Sequence, residues 1–279
     1  MKKTLVIIDL NNFIYRAFFG IQQPLKTPDG KLVNAVYGTF NMLHRIFTDL
    51  KPHSVVAALD SRSSSRKEEY AEYKSTRSKM PDDLRHQIPM VHEMLESMGV
   101  QMVMEEGLEA DDLIYNLCLE AKDFDEVYIC SSDKDLMQLV NDKVKVYDSM
   151  KQKTYDRAGV IEKFGVAPEQ VVDFLSLLGD ASDSIPGVKG IGEKGAVKLL
   201  QEFGSLDNIY ARIQEVKPEG IKNKLIAGES DARISYKLAS LRTTKTSLVL
   251  NPWVMDKTKV HPLLTKWNMK SALFKLQDM

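Results

Sequence analysis

Residues 4–9 read TLVIID: an unbroken apolar, β-branched run that closes on an acid. A run of this kind marks a strand buried on both faces, as in a parallel sheet covered by helices. HSVVAALD at 53–60, VQMVME at 100–105 and EVYICS at 126–131 repeat the signal, and KVKVYD at 143–148 alternates and reads as an edge strand. Val36–Leu50, Leu84–Met98 and Ala110–Ala121 carry helical periodicity between these runs. Strands that alternate with helices predict an α/β fold with a mainly parallel central sheet flanked by helices. From about residue 157 the strand signal fades. AGVIEKFGV, PEQVVDFLSLLG and KGAVKLLQEFG then read as short helices punctuated by glycine. The expected division is an α/β domain over 1–156 and a helical region over 157–279.

The chain has 279 residues, 43% of them hydrophobic, which is ample for a substantial core. Its net charge of −1 names no partner. Cys118 and Cys130 form no CxxC pair and no disulfide framework, so a reducing cytoplasm is expected. The start, MKKTLVIIDLNN, is basic and then apolar, but its apolar run is too short for a signal peptide. No run reaches the roughly 18 apolar residues of a membrane span.

Open α/β sheets place their sites at the carboxyl ends of strands. Asp9 ends the first strand and Asp60 the second; Glu109, Asp111 and Asp112 follow the third, in GLEADDL. Asp133 and Asp135 follow the fourth, in SSDKDL, and Asp180 and Asp183 stand beyond the sheet, in LLGDASDSIPG. Taken alone, any one of these acids reads first as a helix cap or dipole partner. Successive strands that all end in acids, with no basic neighbour beside the GLEADDL group, read as a shared site. Like charges so close need a cation. Five scattered histidines give no zinc spacing, whereas all-oxygen ligands suit Mg²⁺ or Mn²⁺. A pair of such ions suits in-line displacement at phosphorus. Neutralising the acids leaves a basic remainder, which suits a polyanion.

Two further stretches bear on the substrate. Residues 61–83 are polar and apolar-poor and are expected to project from the body. They carry Arg62, Arg66, Lys67, Lys74, Arg77 and Lys79, interleaved with Tyr70 and Tyr73. They read equally as a single-strand grip of cations and stacking rings or as a solvated charged helix. IPGVKGIGEKGAVKLL at 185–200 sets Gly187, Gly190, Gly192 and Gly195 before a helix, with Lys189, Lys194 and Lys198 nearby. It reads as a phosphate cradle or as a plain turn, and it lacks the GxxxxGK[ST] pattern of a Walker loop.

Six motifs, in order, carry a resemblance: IIDLNNFIYRAFF (7–19), NAVYGTF (34–40), EYKSTRSKMPDDLR (72–85), GLEADDLI (107–114), SSDKDLMQLV (131–140) and GDASDSIPGVKGIGEKGA (179–196). Together they resemble the 5′ nuclease family, which includes the 5′→3′ exonuclease domain of bacterial DNA polymerase I and the flap endonucleases. The resemblance implies a PIN-like fold with a helical arch at 61–83 and a helix–hairpin–helix element at 185–200. All nine acids stand at the family's two-metal positions. By the same resemblance Asp9, Asp60 and Asp111 would lie nearer one ion and Asp133, Asp135 and Asp183 nearer the other, with Asp111 between the two. It implies that Lys74 and Arg77 clamp the scissile phosphate, that Tyr73 stacks a base and that Arg16 lies near the site. Arg66 belongs to the same DNA-binding set. It implies that Gly187, Lys189, Gly190, Gly192 and Lys194 grip duplex DNA, in some members with a bound K⁺. The chain departs from the family at Leu10, commonly a small residue, and at Lys194-Gly195-Ala196, often Lys-Thr-Ala.

The implied function is a Mg²⁺- or Mn²⁺-dependent structure-specific 5′ nuclease. It would cut near single-strand/duplex junctions, flaps or nicks of DNA, or at RNA primers, leaving a 5′-phosphate. A nucleoid-associated monomer beside a DNA polymerase partner is expected. Met1 and the tail read as a freestanding chain. A catalytically idle junction-binding protein, a single-strand ribonuclease and a small-molecule phosphohydrolase are the alternatives.

Overall fold

The computed structural model describes residues 2–61, 63, 65–244 and 248–279; Met1 and Arg62, used above, lie outside them. Strand β1 (Thr4–Asp9) is buried along its whole length. It is central in a sheet of order β3-β2-β1-β4-β5-β6, built with β2 (Ser54–Ala58), β3 (Gln101–Val103), β4 (Glu126–Cys130), β5 (Val144–Asp148) and β6 (Lys153–Tyr155). The first five strands pair in parallel, so their carboxyl ends share one rim. Asp9 is level with Ala58, Ala58 with Val103, and Ile8 with Cys130. The chain builds outward from β1 to β3 and then restarts on the other side of β1. That reversal puts a crevice at the end of β1.

Alternation along β1 feeds two cores. Leu5 and Ile7 enter one with α6 (Ala110–Glu120) and much of the C-terminal region. Val6 and Ile8 enter the other with α1 (Leu10–Gly20), α2 (Asn34–Leu50) and α5 (Ile88–Ser97). The period of two along a strand makes this division.

Three expectations need correction. KVKVYD is not an edge, because β6 pairs antiparallel outside it; three residues are too few to show a period. The helix read over 84–98 is broken into α4 (Asp82–Arg85) and α5. Pro89 in the first turn of α5 has no N–H to continue a helix from before. The described part of 61–83 is anchored rather than projecting: α3 (Ser65–Glu69) buries Arg66 in the body, and Tyr73 packs on Ile185 and Leu238.

Beyond the sheet come α7 (Arg157–Phe164), α8 (Val171–Leu178), α9 (Glu193–Phe203), α10 (Leu206–Ala211), α11 (Glu219–Ala227) and α12 (Glu229–Ala239). α13 (Lys257–Lys266) and α14 (Lys270–Gln277) then return to pack on α5 and α2. The end of the chain therefore closes the core of the α/β body. No helix among the described residues is long and apolar enough to cross a membrane.

Candidate active site

Backbone amides at the starts of the following helices and turns hold three of the acids, Asp9, Asp60 and Asp133. Asp9 caps α1, accepting the Asn12 amide at 3.2 Å and the Ser131 hydroxyl at 2.7 Å. Asp60 accepts the Ala110 amide at 2.7 Å, tying the end of β2 to the start of α6. Asp133 accepts the Asp135 amide at 2.9 Å. The Asp111 carboxylate accepts no hydrogen bond among the described residues, and neither does Asp135 Oδ1, which is buried. A cavity of about 670 Å³ joins Asp9, Asp60, Asp111 and Asp133 to Lys74 and Arg77.

The nine acids divide by their neighbours. Glu109 lies 2.8 Å from Lys74 Nζ, Asp180 lies 3.0 Å from Lys134 Nζ, and Asp183 lies 2.5 Å from Arg77. Asp112 takes Arg66 through both oxygens, at 2.6 and 2.7 Å. These cations come from distant segments, which sequence adjacency could not show. Among the described residues no Lys or Arg forms an ion pair with Asp9, Asp60, Asp111, Asp133 or Asp135. Burial and mutual repulsion act on this second group. Burial, then the Asp133 and Asp60 charges, push Asp9 up to about 7. Burial, then Asp133, Asp180 and Asp183, push Asp135 up to about 8. Asp111 is raised well above the usual carboxylate range by burial, Asp133 and Asp9, and Asp133 is raised by burial. Asp180 is lowered, because hydrogen bonds from Ser182 and Lys134 outweigh its burial.

The acids form an open rim. Among the described residues no three of them are placed as a finished cage for one ion. Their chemistry still fits a hard divalent cation: the donors are all carboxylate oxygens, their charge is unneutralised, and one buried oxygen has no partner.

Four side chains are not where the resemblance implied. Asp112 does not face the rim; its oxygens are filled by Arg66, and one also accepts the Arg242 amide at 2.9 Å. Arg66 is 2% exposed and is not offered to DNA. Tyr73 is 4% exposed, with its ring covered and its hydroxyl donating to Glu109 at 3.0 Å, so it is not offered to a base. Arg16 turns to Asp148 at 3.1 Å and lines a separate cavity with Arg45 and Lys275. Lys74 and Arg77 do sit over the site. Lys74 has a left-handed backbone, φ 54°, fixed by its amide's bond to the Asp183 carbonyl at 2.9 Å.

The hairpin keeps part of its implied role. Lys189, Gly190 and Gly192 are exposed ahead of α9, and Lys194 is exposed in its first turn. A Cβ on Gly192 would meet nothing within 4 Å, so its backbone is open to a phosphate. Lys224 Nζ donates to the Gly190 carbonyl at 3.1 Å. Gly187 differs: its φ is +62°, a Cβ would lie 2.4 Å from the Gly179 nitrogen, and its amide is spent on Ser235 Oγ at 2.9 Å. It shapes the turn and is not offered to a ligand.

The sequence reading missed Asn11, Asn12, Tyr15 and Phe19, which line the acid cavity from α1, and Lys134. Their signal was the helical spacing after Asp9, which turns positions 11, 12, 15 and 19 to one side. Phe19 is 62% exposed and meets Phe18 edge-on at 5.1 Å.

Two family models match the chain. One describes the N-terminal resolvase-like domain of a 5′-3′ exonuclease and covers residues 4–165; the other describes its C-terminal SAM fold and covers 166–260. They meet one helix later than the boundary read at 156/157. A 5′-3′ exonuclease of Aquifex aeolicus is 38% identical over 244 residues, covering 86% of this chain and 82% of that protein. DNA polymerase I of Bacillus caldotenax is 39% identical over 289 residues, covering all of this chain. The chain spans 33% of the length of that polymerase, and the same share of its counterpart in Caldicellulosiruptor bescii. The bacteriophage T5 D15 flap endonuclease, solved with DNA and metal ions, superposes with a TM-score of 0.73 at 18% identity, covering 99% of this chain and 97% of that one. At that identity the likeness shows the fold.

Proposed function

This chain belongs to the 5′-3′ exonuclease family, and on that premise we propose that it hydrolyses DNA phosphodiesters near single-strand/duplex junctions, leaving a 5′-phosphate. The observation that carries this reading is the group of five acids, Asp9, Asp60, Asp111, Asp133 and Asp135, with no ion-pair partner among the described residues. They and the neighbouring Asp180, Asp183 and Glu109 would hold two Mg²⁺ or Mn²⁺ ions. Such ions supply positive charge and Lewis acidity for in-line displacement at phosphorus.

The chain's own residues do the rest. Lys74 and Arg77 stand at the cavity mouth with their charges on Glu109 and Asp183. An incoming phosphate accepts from the same donors, so the cations turn from carboxylate to phosphoryl oxygen and fix the scissile bond over the acids. Tyr15 and Phe19 offer ring faces beside it. Lys189, Lys194 and the open backbone at Gly190 and Gly192 hold the duplex by its phosphates. The Gly190 carbonyl accepts from the Lys224 ammonium, and a K⁺ ion at this hairpin is a proposal carried by the family resemblance alone. The likeness to DNA polymerase I supports removal of flaps, nicked ends and RNA primers by a monomer working beside a polymerase. The unpaired Cys118 and Cys130 suit a reducing cytoplasm, at the nucleoid.

The test is cleavage of a 5′-flap DNA labelled at its 3′ end, in Mg²⁺, in Mn²⁺ and in chelator, with Asp135→Asn alongside. Metal-dependent cuts near the junction, lost in the variant, support the reading. Tight binding with no cutting in either metal overturns it in favour of a junction-binding protein.

A further inference from the structure

The guanidinium of Arg66 spends all its N–H groups inside the protein. Nε donates to the Leu238 carbonyl at 3.0 Å and Nη2 to the Ser240 carbonyl at 2.9 Å. Nη1 and Nη2 fork onto Asp112 at 2.6 and 2.7 Å, and Nη1 also reaches Glu109 at 3.3 Å. Three segments therefore meet on one buried cation: α3 at the foot of the 61–83 segment, α6 beside Asp111, and the C-terminal end of α12. The last suits a cation, because the final carbonyls of a helix lack intrahelical partners. Arg242 doubles the fastening. Its amide reaches Asp112 at 2.9 Å, and its side chain reaches Ser65 at 2.7 Å and Glu69 at 2.9 Å.

The other end of the path is α12. Its Ser235, fully buried, accepts the Gly187 amide at 2.9 Å, so the helix is locked to the hairpin. Leu238, one turn further on, packs on Tyr73 and Ile185. From the hairpin, a continuous set of contacts runs through Ser235 and α12 to Arg66, then to Asp112 next to Asp111, and along 66–77 to Lys74 and Arg77. A buried pair of this kind is weak evidence for stability, since desolvation offsets the attraction. A fork with fixed directions is well suited to hold three elements in register.

We propose that Arg66 is a positioning residue for cleavage, coupling the seating of duplex on the hairpin to the placement of Asp111, Lys74 and Arg77. The inference rests on the nuclease reading above and goes beyond it. Arg66 touches no substrate and acts through Asp112 and α12.

The experiment compares wild type, Arg66→Lys and Ser235→Ala on a 5′-flap duplex and on a single strand of the flap sequence, in Mn²⁺. Lysine keeps the charge but cannot make the fork. Misplacing reacting groups by about 1 Å costs about 100-fold. The expected result is that kcat on the flap falls at least about tenfold more than the rate on the single strand, while duplex affinity in chelator stays within about twofold. Ser235→Ala, which leaves Arg66 intact, is expected to shift the ratio of the two rates the same way, and it carries the test should Arg66→Lys fail to fold. A variant that lowers both rates in equal proportion shows a merely structural role and overturns the coupling alone. A wild type that cuts neither substrate overturns the nuclease reading and the coupling with it.

Discussion

Neutralising one acid of the rim should make the metal-free protein more stable. Asp135 is the best choice: its Oδ1 is buried without a partner, and Asp133, Asp180 and Asp183 all repel its charge. Its carboxyl is raised from 3.8 to about 8 in the fold. An acid raised in this way favours folding fully below its unfolded value. That favour is lost as pH rises through the folded value, because the native state binds the extra proton. From 3.8 to about 8, the loss at pH 7 is on the order of 4 kcal/mol if Asp135 bore it alone. The charge is shared with Asp133, so roughly 1–3 kcal/mol is the expected gain for Asp135→Asn. The assay is urea unfolding of both proteins in chelator at pH 5 and pH 8, repeated with Mg²⁺. The variant's gain should be largest at pH 8 in chelator and shrink to about a third of that at pH 5, and Mg²⁺ should stabilise the wild type more. A variant no more stable than wild type at pH 8 in chelator would refute the claim that Asp135 carries uncompensated charge.

Lys74→Ala should lower cleavage by about 100- to 1,000-fold while leaving duplex affinity within about threefold, read from single-turnover rates and Kd; an equal loss in both would place Lys74 in binding only. Arg77 is half-exposed, and Arg77→Ala should cost less than Lys74→Ala in the same assay. Lys189→Ala and Lys194→Ala should each weaken duplex binding alike for all sequences and flatten the plot of log K against log salt by about 1. Gly187→Ala places a Cβ 2.4 Å from the Gly179 nitrogen at a left-handed φ and should cost about 3 kcal/mol or more; a urea midpoint near wild type would show that the turn relaxes.

What could be read before the structure was whatever one segment carries in itself. The β-branched run ending at Asp9 fixed a buried strand, and acids after successive strands fixed a rim, because parallel strands end on the same side. What could not be read depended on distant partners. Arg66 looked like a surface cation because its acceptors at Leu238 and Ser240 lie about 170 positions away. Tyr73 looked like a free ring because Ile185 and Leu238, which cover it, belong to another part of the chain. Asp112 reads like Asp111 in GLEADDL. One step along a helix turns a side chain by about 100°, and that step decides between the rim and Arg66. Gly187 was assigned to phosphate on a valid rule about glycine, but the close approach it allows is to Gly179.

The division of the nine acids is itself informative. A fold that only needed to neutralise them would place its cations where burial is most costly, on Asp9, Asp111, Asp133 and Asp135. Instead Lys74, Arg77, Lys134 and Arg66 sit on Glu109, Asp183, Asp180 and Asp112. The inner acids are left with one another, and their raised values register the cost. A deficit held so locally destabilises the chain unless something absent from the sequence removes it, and a small hard cation is the species whose size and charge match that deficit. The outer pairs then have a second consequence. Lys74 and Arg77 are kept charged and in place at the edge of the same cavity, so a phosphate drawn to the rim meets donors that are already oriented. The acids that look redundant beside the rim are the ones that position the cations the substrate needs.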